Sequence, residues 1–509
     1  MVLQKSASIG VVELPDVALF HSDGRNLTYF RRGNPLISKP ILLANLQAGG
    51  FDAQLVDLRA DNCKVEYGEV AWGKSTLTKV YVGTKIDELD PLAYDVWGIT
   101  ANHPQHREVA CMLIKHLASG GRPIVVGGSD SLAEPQPYLL AGANAIVLDK
   151  SGAANWPIID YVLGRTPREE LHNVILPDSA QSPKRIRSSK HIRPMSPEDW
   201  PIPSIDTFKQ CFGTSYWNAD FPAELSPIGS IFADQGCDRK CDFCLTPTYG
   251  LGYRAMSPER ALQWFALQKK AGAGSVSILS DQFLGRLLWA EKREEVLEIM
   301  KGVREMELPI HWPNGLELRK VTLGRGFKNT DTTPDEELIE ALWGWDGKVG
   351  CYHAYIPGER PVFGPDAYAK LLPWEEHRAI LRSVVRSGVQ AITYGIIIGM
   401  PEDNNENLVR LEAALSELCQ ELSEINPSLR FEVAPYALSP IPGTPQWENV
   451  RQSGLMRFEE PSIFGGLWTP CADTHYLSYE EISDWQMRLI QISSTLDKKL
   501  ISLNMAPDI

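Results

Sequence analysis

The feature that most constrains this chain is a run of eight residues, Cys237-Asp-Arg-Lys-Cys241-Asp-Phe-Cys244. Three thiols this close along a backbone cannot pair as disulfides without straining the loop, so the spacing points to metal ligation. Three thiolates also leave one iron of a cubane iron–sulfur cluster without a protein ligand, and that iron is open to a small chelating molecule. A zinc site is the competing reading and fortuitous clustering a third. Zinc ordinarily takes a fourth protein ligand, often from a second Cys or His pair, and the sequence has no evident partner pair.

The chain is 509 residues long, too many for one ordinary core, and its length implies two to four domains. Its formal net charge is −14. Only the stretch 182–194, SPKRIRSSKHIRP, is rich in cations. That balance argues against nucleic acid as a partner, because polyanion binding needs clustered cations. Nine cysteines and no signal-like start suggest reduced thiols and a cytoplasmic location. With no apolar run of 18 residues, no membrane partner is expected.

Read in order, the chain alternates strand and helix twice. Residues 1–165 carry strand patterns at 9–14, 53–58, 95–100, 123–126 and 144–148, separated by helical patterns at 38–49, 105–119, 134–141 and 153–163. Five strands so spaced predict a doubly wound, Rossmann-like parallel sheet, which binds ligands at the carboxyl ends of its strands. Residues 166–225, rich in Ser, Pro and charge, read as a linker. Six further βα units follow over 226–450, with strands at 228–233, 275–279, 309–312, 348–353, 391–398 and 430–434. They predict a partial, TIM-like (β/α)6 barrel whose functional groups gather at the strands' carboxyl ends. Ser257 and Pro258 mark a helix start as N-cap and first-turn residue. Residues 451–509 read as a mainly helical segment covering the barrel. Cys471 and His475 lie there, but one Cys and one His do not make a metal site. The segment 322–337 reads as an insertion near the barrel mouth.

With C-x3-C-x2-C in the loop after its first strand, the 226–450 region resembles the radical S-adenosylmethionine superfamily. The preceding domain resembles the cobalamin-binding domain of the cobalamin-dependent members. The resemblance implies that Cys237, Cys241 and Cys244 hold a [4Fe-4S] cluster whose fourth iron is chelated by S-adenosylmethionine, with Phe243 near the adenine. Ser280 and Asp281 stand where many members carry Gly-Gly-Glu, and are expected to accept from the ammonium of the methionine moiety. Arg319 is a candidate for its carboxylate. The fourth strand of the family ends in a Glu that contacts ribose; here it reads Cys351-Tyr-His-Ala-Tyr355, which leaves Tyr352 and His353 as candidates. Gly395, Gly399 and Pro401 match the fifth-strand motif beside adenine, and Pro440-Ile-Pro-Gly-Thr-Pro445 resembles the segment after the sixth. In the first domain, Thr100, Gly127, Gly128 and Ser129 are expected to line a slot for the nucleotide tail of cobalamin. The D-x-H-x-x-G motif that ligates cobalt from below is absent: Asp16-Val17-Ala18 has no His at the third place. His103 and His106 follow the third strand, in reach of a corrin, although histidines so placed are more often plain polar loop residues.

The family's chemistry is a reductive cleavage of S-adenosylmethionine to a 5′-deoxyadenosyl radical, shielded from water and followed by hydrogen abstraction. Cobalamin adds methyl transfer. The resemblance therefore implies a C-methyltransferase acting on a small-molecule or peptide substrate and fed electrons by a partner such as flavodoxin or ferredoxin. The alternatives are a non-methylating enzyme of the same class, catalysing cyclisation, ring contraction or oxidation, and a non-catalytic iron–sulfur protein.

Overall fold

The computed structural model describes residues 6–28, 33–177, 184–186, 193–214, 222–289, 292–325, 330–465 and 468–494. Parts of the basic stretch and of the 322–337 insertion, and the helical pattern past 494, lie outside the described residues.

The first half is built on β1 (Ser8–Glu13), β2 (Asp16–Phe20), β3 (Asp52–Asp57), β4 (Lys64–Trp72), β5 (Ser75–Val82), β6 (Val96–Thr100), β7 (Ile124–Gly127), β8 (Ala145–Val147), β9 (Val174–Leu176) and β10 (Lys184–Ile186). One sheet runs β10-β9-β8-β7-β6-β1-β3. Its five strands from β8 to β3 are parallel, whereas β9 and β10 join antiparallel. Ile9, Val11 and Val12 of β1 have no exposed surface, as expected for a strand covered on both faces. Because β3 and β6 flank β1, the winding reverses beside β1, and in such sheets the reversal opens a crevice at the carboxyl ends.

Two parts of this half differ from the sequence reading. The stretch read as a linker supplies β9, β10 and a helix over Ile205–Cys211, which packs against the helices Ser38–Ala48 and Pro258–Ala271. The region between 58 and 95, where no element was expected, supplies β4 and β5, which join β2 in the antiparallel sheet β2-β5-β4. Its turn at Gly73 adopts φ +61°, which glycine tolerates. Leu19, Val70 and Leu77 of this sheet pack with Trp447, Phe464, Trp468 and Ile490, so the N-terminal half buries apolar surface of the C-terminal segment.

The second half contains β11 (Ile228–Ile231), β12 (Asp234–Gln235), β13 (Arg254–Ala255), β14 (Ser275–Ile278), β15 (Ile310–Trp312), β16 (Cys351–Glu359), β17 (Ala391–Ile398) and β18 (Arg430–Ala437). Six of these form a parallel sheet in the order β11-β14-β15-β16-β17-β18, the open barrel expected from the sequence. Ser257 caps the helix Pro258–Ala271 by accepting from the Arg260 N–H at 3.2 Å. The C-terminal segment runs along edge strand β18: the Val433 N–H donates to Ile492 O and the Ser494 N–H to Phe431 O. Covering a strand edge in this way removes an open hydrogen-bonding row. Among the described residues no helix is long and apolar enough to cross a membrane.

Candidate functional site

The loop after β11 begins with the β12–β13 ribbon, which turns the chain tightly at Gly236, φ +84°. A Cβ there would lie 1.6 Å from the Gly252 carbonyl oxygen, so this position accepts only glycine. The cysteine run follows at once, and buried charge pins it. Lys320, with no exposed surface, pairs with Asp238 at 2.6 Å and reaches Glu317 at 3.6 Å. Arg239 closes on Glu317, donating from Nε at 3.1 Å. Beyond the loop, the Gln446 N–H donates to Asp242 O, tying the run to the Pro-Gly-Thr-Pro segment.

Cys237, Cys241 and Cys244 line a cavity of about 140 Å3 together with Phe243, Asp281, Gln282, Glu317, Arg319, Glu359 and Lys370, among others. Burial pushes the Cys237 thiol up to about 11 and raises Cys241. Among the described residues no group of three His, Cys, Asp or Glu side chains is placed to hold a single metal ion. A cubane cluster asks each cysteine for a different iron. Three thiols on one wall of a cavity that also carries carboxylates and cations fit a cluster together with a charged chelating ligand.

Asp281 stands just past β14. Its carboxylate accepts from the Gly236 N–H at 2.7 Å, and burial raises its pKa against the pull of that bond and of Lys150. Ser280, beside it, is 4% exposed and its hydroxyl accepts from the Ala233 N–H, so it braces the start of the cysteine loop. The Arg319 guanidinium donates to the carbonyls of Ala369 and Leu371 at the cavity wall. Phe243 meets Tyr368 edge-on at 5.4 Å, with the Lys370 ammonium 5.5 Å from its ring centroid.

The fourth strand departs from the sequence reading. Tyr352 and His353 sit at its start and line neither this cavity nor the next. His353 is buried in the barrel, its Nε2 3.0 Å from Thr393 Oγ1, and burial holds its pKa down at about 3. Glu359, which the sequence reading missed, occupies the strand's far end. The strand continues through Pro357-Gly358 and shifts register there; Glu359 has φ +56° and accepts from Lys370 at 2.7 Å. A bulge at a strand end re-aims the side chain that follows, here into the cysteine cavity. Gly395, Gly399 and Pro401 line neither cavity. A Cβ on Gly395 would fall 1.9 Å from the Tyr355 hydroxyl, so this glycine answers to packing within the barrel.

A second cavity, about 570 Å3, opens at the carboxyl ends of β1, β6, β7 and β8. Thr100, Gly127, Gly128 and Ser129 all line it, as do Asp16, His103 and His106. Gly128 has φ +117°, and a Cβ there would lie 2.1 Å from the Ala101 carbonyl oxygen. A Cβ on Gly127 would meet only Val147, at 3.8 Å, and would otherwise extend into the cavity. Such a cradle brings backbone close to a ligand. The helical turn after it is anchored by Asp130, which takes two bonds from Arg107, at 2.8 and 2.7 Å, and one from Tyr138. Phe232, Gln235, Thr246, Tyr249 and Asp281 of the second half complete the wall. Asp281 therefore lines both cavities. Cys471, in the C-terminal segment, is buried with its thiol on the Leu438 carbonyl.

No family model matches this chain, and no curated protein does either. Solved structures do. The cobalamin-dependent S-adenosylmethionine radical enzyme OxsB, with aqua-cobalamin and S-adenosylmethionine bound, superposes with a TM-score of 0.68 at 14% identity over 95% of this chain. This chain spans 66% of the OxsB chain. The radical S-adenosylmethionine methyltransferase TsrM from Kitasatospora setae, bound to tryptophan and a SAM analog, gives a TM-score of 0.58 at 12% identity, covering 95% of this chain and 89% of its own. A second TsrM structure, with cobalamin and a [4Fe-4S] cluster, gives 0.56 at 12% identity, covering 88% of this chain and 75% of its own. The sheet, the open barrel and their order along the chain are thus shared with these proteins: the fold is that of the cobalamin-dependent radical S-adenosylmethionine enzymes.

Proposed function

We propose that this chain is a cobalamin-dependent radical S-adenosylmethionine enzyme that methylates a carbon of a small-molecule or peptide substrate. The observation that carries the reading is the shared wall at Asp281. A cysteine-lined cavity and a glycine-cradled cavity meet at one carboxylate, so two ligands would face each other across it.

In this reading Cys237, Cys241 and Cys244 hold the [4Fe-4S] cluster. Asp281 and Arg319 take the ammonium and carboxylate of S-adenosylmethionine, Phe243 flanks the adenine, and Glu359 replaces Tyr352 and His353 as the ribose acceptor. Ser280 positions the loop. Thr100, Gly127, Gly128 and Ser129 receive the cobalamin tail. When bound, these groups supply the electron, the carbon radical and the methyl group; the protein supplies position and exclusion of water. Buried walls suit that task, and a protein reductant such as flavodoxin or ferredoxin would deliver the electron. The tryptophan bound in TsrM supports a small substrate.

Anaerobic, cofactor-loaded protein given methyl-labelled S-adenosylmethionine and candidate metabolites tests the proposal. It predicts both 5′-deoxyadenosine and S-adenosylhomocysteine, with label in the product. 5′-Deoxyadenosine alone would replace methylation with another radical outcome. Protein that binds cobalamin and a cluster but never cleaves S-adenosylmethionine would contradict the enzyme reading.

A further inference from the structure

We propose that Lys150, with the Ser129 hydroxyl, binds the phosphodiester that links the corrin of cobalamin to its nucleotide. The inference rests on the reading that the larger cavity holds cobalamin, and it assigns the end of that cavity at which the tail turns out toward the corrin.

The cavity is lined by apolar and polar groups together. Ile9, Val11, Val125 and Val147 belong to strands of the sheet and make an apolar floor suited to an aromatic base. Ser129 and Lys150 lie in the segments just past the carboxyl ends of β7 and β8, at the mouth. A nucleotide tail whose base reaches the floor leaves its sugar and phosphate at that mouth.

Lys150 is built for an anion. Its ammonium donates to Ser129 Oγ at 2.9 Å and stands 5.0 Å from the Tyr249 ring centroid. The Tyr249 hydroxyl donates to the same Oγ at 2.7 Å. Ser129 thus accepts twice, and its own proton remains for an acceptor in the cavity. Among the described residues Lys150 forms no ion pair; Asp281 attracts it only at longer range, and burial lowers its pKa to about 8. A cation half withdrawn from water and answered by a neutral hydroxyl is completed by a bound anion. Gln235, from the second half of the chain, donates to the Lys150 carbonyl and fixes the backbone that carries it.

Cobinamide, which keeps the corrin but lacks the nucleotide and its phosphodiester, separates this contact from the rest. Spectroscopic titration of the full chain with cobalamin and with cobinamide is the test, on wild type, Lys150→Met and Lys150→Arg. The expected result is a loss of cobalamin affinity of roughly 10-fold or more in Lys150→Met, the size of one charge-assisted hydrogen bond, with cobinamide affinity unchanged and Lys150→Arg close to wild type. Equal cobalamin affinity in wild type and Lys150→Met, or an equal loss for both corrinoids, overturns the assignment and leaves the cobalamin reading intact. Wild-type protein that binds neither corrinoid overturns both.

Discussion

The two cavities that meet at Asp281 are held by opposite means. Around the cysteines, charge does the holding: Lys320 on Asp238 and Glu317 and Arg239 on Glu317 fix the loop, and Lys370 on Glu359 adds a further ion pair to the cavity lining. Around the larger cavity, backbone does it: Gly127 and Gly128 bring main chain to the rim of a parallel sheet whose strands are buried on both faces. The difference follows from what each would hold. A compact, charged cluster with its ligand needs donors and countercharge at fixed points, while a long nucleotide tail needs a slot that side chains would block.

This contrast can be broken from either side. The largest effect is expected from Lys320→Met, which takes the fully buried cation from Asp238 and Glu317 and leaves Arg239 to face both carboxylates; losing one partner of a buried pair costs about 3–5 kcal/mol. Iron retained after anaerobic reconstitution should fall sharply while cobalamin affinity holds. Gly128→Ala should do the reverse. A Cβ at φ +117°, 2.1 Å from the Ala101 oxygen, adds strain of about 1–3 kcal/mol, so corrinoid binding and melting temperature should drop while iron content stays level. If either substitution removed both cofactors equally, the two sites would not be separately built.

A smaller effect concerns pH. Burial lifts Asp234, at the entrance to the cysteine loop, from 3.8 to about 7. Between those values the unfolded chain has lost the proton and the folded chain keeps it, so this group makes stability fall as pH rises through that window. Denaturant titrations at several pH values should show that slope in wild type and a flatter one in Asp234→Asn. An unchanged slope would mean that Asp234 is not protonated in the fold near neutral pH.

Much of this architecture was legible in the sequence because apolar runs and helix signals repeat at regular intervals; β17 spans the expected residues, 391–398. The cysteine run was legible because three thiols so close along the backbone point to metal ligation rather than disulfides. Glu359 was not. Pro357-Gly358 reads as the end of a strand, and only the bulge in the folded structure carries β16 past it to Glu359. The β4–β5 hairpin was also missed, although Val65 and Tyr67 alternate with Lys64, Glu66 and Gly68 as a half-exposed strand does. Lys150 carries no local signal: one lysine after a strand acquires meaning only when Ser129, Tyr249 and Asp281 come to surround it from distant parts of the chain.

In the proposed function one chain holds both cofactors side by side. Metal analysis of anaerobically reconstituted, gel-filtered protein tests it most directly. The expected result is about four irons and one cobalt on the same chain, with iron lost and cobalt retained when Cys241 is replaced by Ala. Cobalt absent from the wild-type protein, or cobalt lost together with iron in Cys241→Ala, would contradict it.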